Sequence, residues 1–233
     1  TQIAAKFRDK PSKLVFESIN EPTFSGTSGD DENYRLLAEL NRSFHRIVRD
    51  SGGGNAKRLL VLPTLYTNSD QGRLDALAAE LTALRDPMVA TTIHFYGWWP
   101  FSVNIAGYTR FDATSQQDLT DQFDRVYNSF VAHGIPVVVG EYALLAYDHN
   151  RPGIIERGEQ CKYFEFQRSQ TVVAPFFTEY SQEGIASWWN SRYARSERPS
   201  SLRTGARTLT PRKPTESVFS AYLTRLLFGC ADL

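Results

Sequence analysis

The chain has 233 residues with 26 basic and 26 acidic side chains, a formal net charge of zero, which excludes the basic surplus of a nucleic-acid binder. Hydrophobic residues at 41% and charged residues at 22% are globular values and exclude wholesale disorder. No apolar run reaches the ~20 residues that cross a bilayer, residues 1–14 lack the apolar segment of a signal peptide, and the two cysteines, Cys161 and Cys230, are too few for a disulfide framework.

In chain order, residues 1–10 read as the end of a helix, with Pro11 as its breaker. Leu14–Ile19 is then a strand of the buried type. Residues 31–49 place Leu37, Leu40, Phe44 and Val48 on one helical face, and Gly52–Gly54 ends that helix. Arg58–Leu62 is the next strand, residues 73–85 a second amphipathic helix, and Val89–Phe95 a third strand. Residues 115–132 carry Leu119, Phe123, Val126 and Phe130 as a third helix, followed by a strand at Ile135–Val139. Residues 154–166 are predicted helical, with Ile155, Cys161 and Phe164 inward, which makes Cys161 a core thiol and not a nucleophile. Gly184–Trp189 is the expected fifth strand.

Composition changes after Asn190, where eight basic residues stand against three acidic ones. Residues 191–215 are rich in Arg, Ser, Thr and Pro and show no periodicity. The expected organisation is therefore a folded unit over residues 1–190, then a basic tail over 191–233 with a terminal helix at 216–228.

Strand and helix alternate at ~35–45 residues per unit, the signature of parallel βα units, and apolar strands covered by helices fit a (β/α) barrel or a doubly wound sheet. No Gly-rich phosphate loop follows a strand. Polar and aromatic residues gather instead at strand C-termini, where barrel enzymes place their active sites. Two of them are glutamates: Glu21 in Asn20-Glu21-Pro22 and Glu141 in Gly140-Glu141-Tyr142. A charge at the tip of a buried strand is costly unless used or paired. If both face one mouth, they form a carboxylate pair suited to glycoside cleavage. Strand-end glutamates held by Arg or Lys partners are the plainer alternative. Asn20, His94, Tyr96 and the Trp98-Trp99 pair favour the first. No His/Cys/Asp cluster has metal-ligand spacing, and no cofactor is implied.

Three stretches, Phe16–Pro22, His94–Tyr96 with Trp98-Trp99-Pro100, and Val138–Tyr142, together resemble the C-terminal part of a glycoside hydrolase family 5 cellulase, an endo-β-1,4-glucanase of the type found in actinobacteria. The resemblance covers residues 1 to about 166 and implies a (β/α)8 TIM barrel. It makes Glu21 the acid/base, Glu141 the nucleophile and Asn20 the partner of the sugar 2-hydroxyl, with split pKa values in the glutamate pair. His94 and Tyr96 would line the cleft, the Tyr96 hydroxyl donating to Glu141 or to sugar. Trp188, with Trp189 as an equal candidate, would stack on sugar after the last strand, and Trp98, Trp99, Phe101 and Tyr66 on further sugars.

In that family Asn-Glu-Pro follows the fourth barrel strand, yet only 13 residues precede Leu14. The expectation is a barrel truncated to about strands four to eight, with little activity of its own and unclosed edges open to self-association. Past Phe166 the family pattern is lost and Pro175 interrupts the helix, so a shifted reading frame is one account of the tail. The implied partner is a β-glucan, with no nucleic acid or membrane, and the implied location is extracellular. Other readings stay open: the same family acting on xyloglucan or mannan, a catalytically impaired carbohydrate-binding fragment, or a barrel lyase or isomerase, for which no metal, Lys or phosphate site is evident.

Overall fold

The structure, a computed structural model, describes residues 1–11, 13–103, 108–144, 157–172 and 176–178. Five parallel strands stand in sequential order: β1 (Phe16–Glu17), β2 (Leu60–Pro63), β3 (Val89–Phe95), β4 (Val137–Tyr142) and β5 (Phe176–Thr178). The helices are α1 (Gln2–Lys6), α2 (Asp30–Asp50), α3 (Gln71–Leu84), α4 (Trp99–Ser102), α5 (Ala113–Ser129) and α6 (Arg157–Val172). Sequential parallel strands joined through helices are the winding of a (β/α)8 barrel, of which these residues form an open part.

Local chemistry sets the helix ends. Asp30, Asp31 and Glu32 occupy the first turn of α2, where the helix dipole favours negative charge. The Ser28 backbone N–H and hydroxyl both donate to Glu32, at 2.7 and 2.8 Å. Asp112 caps α5 by accepting from the Ser115 N–H at 3.1 Å. α3 ends on Arg85 in the left-handed region.

Strand alternation separates two apolar sets. Leu60, Leu62, Val89, Ile93, Phe95, Val137 and Val139 pack with Leu74, Leu77, Leu119, Phe123 and Val126 from the helices. The alternate positions Leu59, Val61, Met88 and Ala90 form a smaller cluster on the opposite, inner face. That inner face carries Thr92 and His94 further along β3.

Several expected boundaries move. β1 keeps only two residues of the six expected, because the Leu14 carbonyl is taken by the Arg58 guanidinium at 2.5 Å and not by a strand neighbour. Arg58 likewise precedes β2 instead of opening it. The fourth strand lies later than expected: the Ile135 N–H closes the turn onto Phe130, and pairing to β3 starts at the Pro136 carbonyl. Glu141 therefore sits within β4, not after it. α6 runs to Val172, past the expected break at Phe166 and three residues short of Pro175. Its Cys161 is buried, as expected of a core position. β5, unforeseen at Phe176–Thr178, pairs with Val137–Val139. The strand expected at 184–189 and the tail lie outside the described residues, as do Trp188 and Trp189.

Candidate active site

The C-terminal ends of β1, β2, β3 and β4 open into one groove of about 620 Å³. Glu21, Tyr66, His94, Tyr96, Trp98, Trp99 and Glu141, seven of the site residues expected from the sequence, line it. Asn20 is exposed one residue before Glu21 and is not part of that lining, and Trp188 is outside the described residues.

Glu21 leaves β1 through a backbone turn with φ of 42°. Its N–H donates to Thr67 Oγ1 at 3.2 Å, and the Tyr66 N–H donates to the Pro22 carbonyl at 3.0 Å. The loop after β2 thus holds the loop after β1. Tyr66 and Thr67 themselves adopt φ of 59° and 53°, so the left-handed conformations concentrate at the groove.

His94 and Glu141 meet through an irregularity. β3 and β4 pair Thr91 with Val137, Thr92 with Val138 and Ile93 with Val139, and then His94 with Glu141. Gly140 is the extra residue. Were the pairing regular, His94 would stand beside Gly140, and Glu141 would follow Val137 and Val139 toward the helices. The bulge returns Glu141 to the inner face, next to His94.

The imidazole is 5% exposed and the two glutamate side chains 46% and 42%. His94 Nδ1 lies 2.8 Å from Glu21 Oε1 and 3.6 Å from Glu141 Oε2. An oxygen of each glutamate and a His94 nitrogen all fall within 4.8 Å of one another. This grouping is compact enough to coordinate a cation. The Tyr96 hydroxyl donates to Glu141 Oε2, which occupies that oxygen. Burial first, then the hydrogen bond to Glu141 and the charges of Glu141 and Glu21, push the Tyr96 hydroxyl up to about 12, so it stays a protonated donor.

Trp99 is 59% exposed and Tyr66 39% exposed, both available as flat faces. Tyr66 rests on the Arg73 guanidinium, 4.7 Å from the ring centre, and Trp98 meets Tyr108 edge-on at 4.8 Å. Phe101, expected to stack on sugar, is instead fully buried against Phe111 and Tyr163. α5 adds Asp118 and Gln122 to the lining, which the sequence concealed because both belong to an amphipathic helix that reads as solvated. Burial pushes the Asp118 carboxyl up, against Arg125 and Gln122.

The model of the cellulase family, glycosyl hydrolase family 5, matches residues 1–183, further than the 166 expected from the sequence. Endoglucanase B of Paenibacillus lautus is 58% identical over 168 residues, covering 71% of this chain and 30% of that protein. Among solved structures, a trimodular subfamily-4 endoglucanase of the same family superposes with a TM-score of 0.71 at 45% identity, covering 76% of this chain and 34% of that one. The trimodular endo-β-1,4-glucanase B of Bacillus halodurans gives 0.70 at 44%, covering 80% and 39%. The chain thus spans about a third of the length of these relatives.

Proposed function

This chain belongs to glycosyl hydrolase family 5, and on that premise we propose that it cleaves internal β-1,4-glucosidic bonds of a glucan by double displacement, with retention at the anomeric carbon. The observation that carries the reading is the approach of Glu21 and Glu141 oxygens to within 4.8 Å in an open, aromatic-lined groove. Retaining glycosidases hold their carboxyl groups ~5–5.5 Å apart, whereas inverting ones leave ~6.5–9.5 Å for a water.

Glu21, carrying its proton, gives it to the glycosidic oxygen as the bond from that oxygen to C1 breaks. Glu141 Oε1 bonds to C1 from the opposite side, while Tyr96 holds Oε2. Glu21, now a carboxylate, takes a proton from a water whose oxygen displaces Glu141 from C1, which restores both groups. His94 fixes Glu21 through Oε1. Trp98, Trp99 and Tyr66, which line the groove, stack on sugar rings. A glucan polymer lies outside cells, so the reading carries an extracellular site of action. Xyloglucan shares the β-1,4-glucan backbone and stands beside cellulose as a candidate substrate.

Glu21→Gln and Glu141→Gln are each expected to lower kcat on soluble β-glucan by ~10²–10⁴-fold, and proton NMR of fresh product should show the β-anomer. An α-anomer, or full turnover by either variant, would overturn the reading. A second reading, a glucan-binding chain without turnover, draws on the exposed faces of Trp99 and Tyr66 at the groove. It predicts cello-oligosaccharide binding by the unaltered chain and both variants alike, with no hydrolysis by any of them.

A further inference from the structure

We infer that Gly140 is a positioning residue for the catalytic pair, a side-chain-free bulge whose empty Cβ position leaves the space that the His94 imidazole occupies. The inference deepens the proposed function and rests on it, since it concerns how Glu21 and Glu141 are aimed.

Glycine is commonly demanded by a left-handed backbone, but Gly140 is not among the residues with positive φ. Alanine would fit its backbone, so space is what excludes a side chain. A Cβ at this position would lie 2.7 Å from Thr92 Oγ1, 3.1 Å from His94 Nε2 and 3.3 Å from His94 Cδ2. The first distance is a clash, and the other two require the ring to give way.

The ring has little freedom to do so. It is 5% exposed, and its far edge, Nδ1, is committed to Glu21 at 2.8 Å, with Glu141 at 3.6 Å. Pressure on the Nε2 edge is therefore passed to Nδ1 and to the glutamates around it. The bulge also decides which face of β4 carries Glu141. One residue thus bears on both carboxylates: on Glu141 through the bulge it forms, on Glu21 through the imidazole that its missing methyl group leaves room for. Thr92 offers a way to separate this from a general loss of structure. Its Oγ1 is buried without a hydrogen-bond partner, so Thr92→Ala removes the nearest obstructing atom and strands no donor or acceptor.

The test is a double-mutant cycle on the full chain with soluble β-glucan. Gly140→Ala should lower kcat ~100-fold with KM within ~3-fold, the size expected for a catalytic group displaced by about an ångström. Thr92→Ala alone should stay within ~3-fold, and Gly140→Ala with Thr92→Ala should regain ~10-fold of the loss, which a merely structural glycine would not predict. A readout independent of turnover runs alongside. The chain has four histidines, so the His94 ring resonances, assigned by their loss in His94→Gln, can be followed by NMR. They should move in Gly140→Ala and return toward their original positions in the double variant. Unmoved resonances in Gly140→Ala, an undiminished kcat, or a double variant no better than the single one would overturn the inference. Glu141→Gln separates the two levels. If it is inactive while Gly140→Ala is normal, only the positioning role falls; if it turns over at full rate, the proposed mechanism falls and takes this inference with it.

Discussion

Glu21 carries an unusual backbone for a residue in front of proline, since φ of 42° places it in the left-handed region. Such a conformation costs ~1–3 kcal/mol and persists only where the surroundings over-determine it. Here Thr67 Oγ1 takes the Glu21 N–H and the Pro22 carbonyl takes the Tyr66 N–H. Across the groove, Glu141 is aimed by a hydroxyl. Removing the Tyr96 donor leaves Glu141 Oε2 without its partner, and a hydrogen bond to a charged group contributes ~1.5–3 kcal/mol. Tyr96→Phe is therefore expected to lower kcat by ~10- to 100-fold with little change in KM; an unchanged kcat in steady-state assays would remove Tyr96 from the mechanism. The motif-bearing residues of the groove, Glu21, His94, Tyr96 and Glu141, were legible in the sequence because each stands at the end of an apolar strand. Thr67, Asp118 and Gln122 were not, because nothing local marks a loop threonine or a helix surface residue as facing a groove built by other elements.

Among the elements, β1 is the least self-sufficient, two residues long and pinned from behind by Arg58. That side chain is fully buried and donates to the carbonyls of Phe7, Lys10, Pro11 and Leu14 and to Asn55 Oδ1. Its guanidinium also lies 4.7 Å from the centre of the Phe16 ring. Burial, with the Arg49 charge nearby, pulls its pKa below the ordinary value, yet a guanidinium stays charged at neutral pH. Five acceptors satisfied by one cation tie α1, the loop after it and β1 to the segment that opens β2. Arg58→Met would leave several buried carbonyls without donors, and urea unfolding should show a loss of about 3 kcal/mol or more. A loss below about 1 kcal/mol would mean that water replaces the guanidinium. From sequence, Arg58 read as the first residue of a strand, because a buried arginine and an exposed one look alike until its acceptors, 44 to 51 positions away for four of the five, are folded around it.

For the molecule as a whole, the sheet has open edges at β1 and β5 among the described residues, and its cohesion relies on ties between helices and strand entries. Asp86, in the turn between α3 and β3, is one of these. Burial pushes its carboxyl up, but His45 and Arg49 of α2, at 2.7 Å each, and the Met88 N–H outweigh that and hold it well below the carboxylate range. A carboxyl depressed in the folded state stabilises fully above its unfolded value of ~3.9, and that contribution drains away as pH falls toward the folded value. Thermal midpoints measured from about pH 7 to about pH 2 should therefore drop on the acid side. Asp86→Asn should start lower at neutral pH and lose less on acidification; parallel curves for the two proteins would exclude Asp86 as a source of the acid sensitivity.

The alternation of apolar strands with amphipathic helices was readable from sequence alone, because burial on a sheet or helix face imposes a local period. So was the presence of two glutamates at strand tips, because their motifs are contiguous. Register was not. Whether Glu141 points into the groove or toward the helices depends on the register shift at Gly140, between the Ile93 and His94 pairings, and a strand's facing reverses with a single-residue shift that leaves composition and period untouched. That decision belongs to pairing between segments distant in the chain, and only the tertiary structure makes it.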